Sequence, residues 1–183
     1  MSDRLFACID CCGKTIWGCA NEFQRAAEEL LHDARTRSLP IDSVVRPIAF
    51  LYRHAFELAI KAFLASGRSV KTGRYKCPSG HELDKLWRDA KPFAEGIFDS
   101  HNPAEQQELR EKLENINRIA EQIVECDAQS DAFRYPGNKK GELTLPGMKY
   151  LDLNAFSSEI KEAMEILGWM SDLLERDRQL EGC

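Results

Sequence analysis

The stretch from Pro47 to Ala65, PIAFLYRHAFELAIKAFLA, decides the fold because it is apolar around most of its surface. Plotted at 3.6 residues per turn, its apolar side chains cover well over half of the helix circumference. Only a narrow polar strip interrupts them, formed by Arg53, His54, Glu57 and Lys61. A helix this apolar is normally packed on most sides, so we predict the central helix of a bundle. The polar strip is then the first place to look for chemistry.

Helical spacing of apolar residues predicts four further helices around this one. They run from about Lys14 to Thr36, from about Glu82 to Ala90, from Pro103 to about Ala128, and from about Leu153 to Arg178. Asn102 is predicted as the N-cap of the third of these. Together with the central stretch they predict an all-α bundle of four to five helices.

Proline and glycine predict where these helices begin and end. Pro47 is expected in the first turn of the central helix and Gly67 at its C-terminal end, which leaves 67–80 as a long, basic loop. Pro92 is expected to limit the short helix that follows. Between the last two helices, extended pieces at 142–145 and 148–151 flank a proline and a glycine and predict a small extended or hairpin insertion.

Composition predicts an ordinary globular protein in one domain, 1–183. The chain has 43% apolar and 30% charged residues, and its net charge of -5 provides no global basic field for nucleic acid. It contains no apolar run of the length that a membrane helix needs, and MSDRLFACIDCCGK has no secretory core, so we expect no membrane association.

Seven cysteines, an odd number, favour a reducing, cytoplasmic location.

The cysteines raise the hypothesis of a zinc site. Its candidate ligands are Cys8, Cys11, Cys12 and Cys19, with Cys77 and His81 as remote ligands. A structural zinc site usually combines two short-spaced ligand pairs, and this chain has one CxxC without a second pair. We therefore favour reduced thiols, and expect neither a metal nor a cofactor.

Two interpretations of the polar strip stay open. His54, Glu57 and Lys61 share one helical face, and with Arg53, Arg134 and Tyr135 they are candidates for a binding site. The other interpretation is a buried network of ion pairs that fixes helix packing. Arg134 likewise suits a phosphate, or a carboxylate such as Glu57 or Asp131 that holds its loop down.

Two Arg–His pairs each have six residues between the arginine and the histidine. Arg25 and His32 lie on the polar side of the first helix, which we interpret as an exposed face. Arg74 and His81 span the loop before GHEL, and they would face a substrate only if that loop folds over the bundle. His81 is alternatively a helix cap or an anchor for the loop.

Three motifs, HAFELAIKAFLASG, GHELDKLW and SDAFRYPGNKKGE, stand in this order between amphipathic helices. Together they resemble the HEPN superfamily of small helical-bundle proteins, over residues 15–178. The resemblance implies a bundle of four or five helices, often dimeric, from a prokaryotic toxin–antitoxin or anti-phage defence system. Some members are metal-independent RNases, and others are inactive binding or scaffolding versions.

The RNase members of that superfamily carry an Arg, four to six residues and then a His, usually at the start of a late helix. The corresponding helix here contains Arg110 and Arg118, but no His follows His101. We therefore expect a non-catalytic binding or regulatory homodimer whose ligand is RNA, a nucleotide or a partner protein. The alternative is a metal-independent endoribonuclease with catalytic residues drawn from His54, Lys61, Arg74, His81 and Arg134.

Overall fold

A computed structural model describes residues 15–36, 38–98, 103–128 and 130–181. These residues form five helices: α1 (Ile16–Arg35), α2 (Ile41–Thr72), α3 (Leu83–Phe98), α4 (Pro103–Asp127) and α5 (Leu153–Glu181). This part of the chain contains no β-strand, which confirms the predicted all-α bundle. None of its helices combines the length and the apolar character that crossing a bilayer requires.

Helix α2 is the centre of the bundle, as predicted from its apolar surface. It packs against α1, α3 and α5, whereas α4 packs on α3 and less extensively on α5. Phe56, Ile60 and Phe63 are completely buried among these neighbours. Burial of one such side chain contributes about 1.5–3 kcal/mol, so the central position of α2 accounts for much of the core.

Helix α2 is longer at both ends than its sequence suggests. It starts at Ile41 rather than Pro47, and Pro47 lies inside it at an exposed position where water can reach the carbonyl that the proline leaves unbonded. It ends at Gly73, which has a φ of 69° and donates its N–H to Ser69 O at 2.8 Å. The expected stop at Gly67 is therefore wrong.

Gly67 has a packing role instead. A Cβ atom at this position would lie 2.5 Å from the ring of Phe93, so the missing side chain is what allows α3 to approach α2. Helix α3 also continues through the exposed Pro92, which sequence reasoning took as its limit. The loop between α2 and α3 is consequently shorter than the predicted 67–80.

The segment between α4 and α5 is non-helical, as predicted, but the expected hairpin about Pro146 and Gly147 does not form. The single antiparallel bridge in the described residues joins Gly137 and Leu143. Asn138 closes this turn, because its side-chain oxygen accepts the N–H groups of two residues that follow it. This local side-chain bonding selects a different turn from the proline–glycine pair.

Some predictions fall on other parts of the chain. The predicted N-cap Asn102 and three of the candidate zinc ligands, Cys8, Cys11 and Cys12, lie outside the described residues.

Candidate functional site

Three residues of the predicted polar strip belong to a charged group inside the bundle. Arg53, Glu57 and Lys61 of α2 meet Asp127 from the last turn of α4, and we call these four residues the buried charge cluster. Their exposed fractions are 0%, 0%, 6% and 2%, in that order. Two cations and two carboxylates balance in charge, as buried ionic groups require.

Glu57 is the hub of the buried charge cluster. Its Oε2 lies 2.5 Å from Arg53 Nη1, and its Oε1 accepts from Lys61 Nζ at 2.9 Å and lies 2.8 Å from His81 Nδ1. Burial acts to raise the pKa of Glu57, but the hydrogen bonds from Lys61, Arg53 and His81 outweigh it and lower the pKa overall. Glu57 is therefore an ionised carboxylate with both oxygens occupied.

Arg53 connects the ends of two other elements to α2. Its Nε lies 2.8 Å from Asp127 Oδ2, although the N–H is not directed at that oxygen, so this ion pair has no hydrogen bond. Its Nη2 donates to His81 O at 3.0 Å. Burial raises the pKa of Asp127, and the N–H of Ala132 and the charge of Arg53 oppose that rise. The buried charge cluster therefore has the arrangement of a buried ion-pair network that fixes helix packing, which was the second interpretation of the polar strip.

His81 is an exposed group attached to the cluster. Its side chain is 66% exposed, and its Nδ1 bonds Glu57 rather than capping α3, so it anchors the loop that precedes α3. An ionised carboxylate can only accept hydrogen bonds, which makes Nδ1 the donor. The other ring nitrogen, Nε2, is then the one left for solvent or a ligand.

His54 faces away from the cluster into a row of aromatic and cationic groups. Its ring stacks on Phe50 with a centroid distance of 5.7 Å and meets Phe23 edge-on at 4.5 Å. The Arg134 guanidinium lies 5.8 Å from the centroid of Phe50 and 5.4 Å from that of Tyr135. We call Phe50, His54, Arg134 and Tyr135 the aromatic ladder. It forms a partly open strip of three rings with one positive charge, that of Arg134.

Burial also changes the pKa of His54, the histidine of the aromatic ladder. His54 is half-buried, and this burial lowers its pKa below the ordinary 6.5, while the nearby charge of Glu57 opposes the shift. His54 is therefore a mainly neutral ring near pH 7, which suits stacking better than charge pairing.

The loop that carries Arg134 and Tyr135 is held by backbone contacts. Arg134 Nε donates to Ser130 O at 2.7 Å, and Ser130 has a φ of 60°, which turns the chain sharply after α4. From α2, Arg46 Nη1 donates to Ala132 O at 2.9 Å and to Tyr135 O at 3.1 Å. These contacts fix the outer half of the ladder against α2.

The expectation that a carboxylate holds Arg134 is wrong. Within the described residues neither Glu57 nor Asp131 forms an ion pair with it, and Glu57 bonds Arg53, Lys61 and His81 instead. Arg134 instead places its guanidinium between two rings and remains exposed.

The other sequence candidates are not brought together. Arg25 and His32 are exposed on α1, in agreement with their interpretation as a solvent face. Arg74 is exposed just beyond Gly73, and no contact joins it to His81 in the described chain. Among described residues, no group of three or more His, Cys, Asp or Glu side chains has the arrangement of a metal site, and Cys77 and Cys126 are free thiols.

Sequence reasoning missed two residues of the site. Phe50 was counted only as part of the apolar face, although its spacing of four from His54 is a readable signal for a stacked pair. Asp127 carried no signal, because nothing in the sequence shows that the last turn of α4 reaches the polar strip of α2.

Comparison with protein-family models, with curated proteins and with solved structures finds no match. The HEPN resemblance therefore remains a prediction from three local motifs.

Proposed function

We propose that this protein binds single-stranded RNA, without cleaving it, along the aromatic ladder. The observation that carries the proposal is the row of Tyr135, Arg134, Phe50 and His54, whose successive separations are 5.4, 5.8 and 5.7 Å. Unstacked bases bind to proteins on aromatic faces and on guanidinium planes, and this row contains three rings and one guanidinium.

Local charge supports the same ligand. Residues 134–151 contain four basic side chains and one acidic side chain, although the whole chain has a net charge of -5. Lys139 and Lys140 are exposed in the turn that follows the ladder. Basic groups close to a stacking platform attract the phosphates of a strand whose bases occupy the platform.

The buried charge cluster supports binding rather than catalysis. Arg53, Glu57 and Asp127 are sealed from water and paired with one another, so a substrate has no access to them. A residue must reach the reacting atoms to act as a general acid or base. Most of the polar strip is therefore assigned to structure, and only His54 to the binding surface.

The test is fluorescence anisotropy with a labelled 12-nucleotide single-stranded RNA, over a series of salt concentrations. Tyr135→Ala is expected to weaken binding by about 1–3 kcal/mol, the range for loss of one base stack. Arg134→Gln is expected to weaken binding and also to flatten its salt dependence, because it removes one phosphate contact.

Matched controls separate the ladder from general surface effects. Tyr75 is 50% exposed and Tyr135 is 54% exposed, so Tyr75→Ala removes an equally accessible ring elsewhere. Arg88→Gln does the same for an exposed arginine on α3. Absence of binding by the unmodified protein, or equal losses in Tyr75→Ala and Tyr135→Ala, would overturn the proposal.

One observation favours a second candidate function, a metal-independent endoribonuclease. His81 is exposed, and the buried Glu57 fixes its Nδ1 at 2.8 Å, which orients Nε2 outward as a general base. In that reaction Nε2 takes the proton of a ribose 2′-hydroxyl, the 2′-oxygen bonds to phosphorus, and the 5′-oxygen leaves. The products are a 2′,3′-cyclic phosphate and a 5′-hydroxyl.

Incubation of the same RNA with the protein in chelator distinguishes the two functions. Intact RNA after prolonged incubation supports binding alone. Cleavage that is lost in His81→Gln and retained in His32→Gln, with helix content unchanged by circular dichroism, would replace the binding proposal with the enzyme.

The wider role implied by the HEPN resemblance is a separate prediction. It comprises a homodimer that acts as a regulatory module in a prokaryotic toxin–antitoxin or defence system. RNA binding along the ladder supports such a role but does not depend on it.

A further inference from the structure

The chain before α5 contains a short segment whose backbone is unpaired. From Met148 to Asp152 it runs without a turn or a bend. In the described part of the chain, no backbone hydrogen bond is made by Lys149, Tyr150 or Leu151. We call Lys149–Leu151 the open edge. Unpaired N–H and C=O groups in a row can accept a further strand from another chain.

Two cavities adjoin the open edge, and all three of its residues line both. The larger one has a volume of about 470 Å³ and extends toward α1, with Leu31, Ala34, Ile41 and Leu153 in its walls. The smaller one has a volume of about 160 Å³ and is walled by Ala49, Phe133, Leu145 and Met148. Side chains of an added strand point alternately to its two faces, so such a strand would present residues to both cavities.

Apolar side chains around the open edge are unusually exposed. Tyr150 is 92% exposed, Ile41 44% and Met148 40%. Single exposed apolar residues are ordinary, but a group of them beside two cavities marks an interaction surface.

We propose that the open edge binds an extended, acidic segment of a partner protein by strand addition. Main-chain hydrogen bonds to Lys149–Leu151 would supply affinity. Apolar side chains on one face of the added strand, in the larger cavity, and acidic side chains on the other face, at the smaller cavity, would supply specificity. This site is distinct from the aromatic ladder and does not depend on RNA binding.

Charge identifies the face of the partner strand at the smaller cavity as acidic. The larger cavity has charged residues of both signs, Arg35 and Lys149 with Asp42 and Asp152, whereas the two charged residues that line the smaller cavity are both cations, Arg46 and Lys149. A second copy of this chain is a poor occupant, because antiparallel pairing of two open edges would bring the two Lys149 side chains close together. Like charges at neighbouring cross-strand positions destabilise pairing, whereas a glutamate or an aspartate there stabilises it.

The experiment uses the full chain and two synthetic seven-residue peptides, in which valine alternates with glutamate or with lysine. Titration by anisotropy is expected to show at least tenfold tighter binding of the glutamate peptide. Lys149→Glu is expected to reverse this preference. Lys140→Glu makes the same charge change at an exposed position away from the edge, and it is expected to shift the affinities by less than about twofold.

Backbone methylation of the glutamate peptide tests the strand itself. Methyl groups on alternate backbone nitrogens, those that face the open edge, are expected to weaken binding at least tenfold, while methyl groups on the intervening nitrogens are tolerated. The same loss at every nitrogen, or at none, would contradict strand addition.

Three further outcomes overturn the proposal. They are failure of both peptides to bind, equal effects of Lys149→Glu and Lys140→Glu, and a concentration-dependent dimer in light scattering that Lys149→Glu abolishes. The last result would assign the open edge to a second copy of this chain.

Discussion

Arg53 and His54 are adjacent in the sequence, yet they belong to two regions with opposite properties. Arg53 is completely buried in the charge cluster, where each charge meets another. His54 lies about one quarter-turn away around α2, half-buried in the aromatic ladder beside the exposed Arg134. The comparison shows that access to solvent and the choice of partner, rather than residue type, separate a sealed polar group from one that is partly open to solvent.

The largest expected effect comes from breaking the buried charge cluster. Glu57→Gln removes the hub carboxylate and leaves Arg53 and Lys61 buried with a neutral partner. Removing one member of a buried ion pair costs about 3–5 kcal/mol, so we expect a loss of that size in the free energy of unfolding. Urea denaturation followed by circular dichroism measures it.

An exposed glutamate provides the control for that change. Glu82 pairs with Lys85 at 2.7 Å, and its side chain is 43% exposed. Glu82→Gln is expected to cost less than about 1 kcal/mol, the usual range for a surface ion pair. Equal, small losses in the two variants would mean that the cluster contributes little and that its burial has no structural consequence.

The next largest effect tests packing on the buried side of α2. Gly67→Ala would place a Cβ atom 2.5 Å from the Phe93 ring, and overpacking of this kind costs about 1–3 kcal/mol. Gly96→Ala, on an open face of α3 with no atom within 4 Å of the added carbon, is expected to be neutral or stabilising by up to about 1 kcal/mol. Thermal unfolding of both variants measures the difference, and a stable Gly67→Ala protein would contradict the close approach.

The sequence predicted the fold well because the signal of α2 is redundant. Apolar residues recur through its whole length, so an error at one end does not move the core. The ends themselves were misplaced by Pro47 and Gly67, since a proline at an exposed position and a glycine under an aromatic ring are tolerated inside a packed helix. Packing between helices determines that α2 continues through Pro47 and Gly67, and the local sequence carries no information about that packing.

The candidate site was less predictable for a related reason. Spacing along α2 placed His54 with Glu57 and Lys61, because residues three and four apart share a face. The structure separates His54 from them through contacts made by other elements, namely Phe23 of α1 and the loop that carries Arg134. Partners that are distant in the chain carry no periodic signal, which is why Asp127 was also missed.

A smaller effect on stability is expected from a change at Arg134, in the exposed part of the aromatic ladder. Arg134 is exposed, and the Ser130 carbonyl that it bonds lies in the same loop, so Arg134→Gln should change the free energy of unfolding by less than about 1 kcal/mol. The same variant should lose RNA affinity, as argued above. A large loss of stability in urea would show that the ladder is structural and would remove the contrast with the buried charge cluster.

The smallest effect concerns the pH dependence of the ladder. Burial lowers the pKa of folded His54 below the 6.5 of the unfolded chain, so the unfolded state takes up a proton first as the pH falls. The contribution of neutral His54 to the free energy of unfolding is therefore complete above pH 6.5. It decreases on acidification until the pH falls below the pKa of folded His54. Between pH 7.5 and 5.5 we expect His54 to account for a loss of less than about 1 kcal/mol.

Urea denaturation at these two pH values, for the unmodified protein, His54→Gln and His32→Gln, isolates that contribution. The loss on acidification should shrink in His54→Gln and persist in His32→Gln, because His32 is exposed on α1. Asp127 and Glu57 are present in all three proteins, so the parts of their contributions that do not depend on His54 cancel in the differences. If all three lose the same stability, His54 is as well hydrated when folded as when unfolded, and the ladder is more open than its stacking on Phe50 indicates.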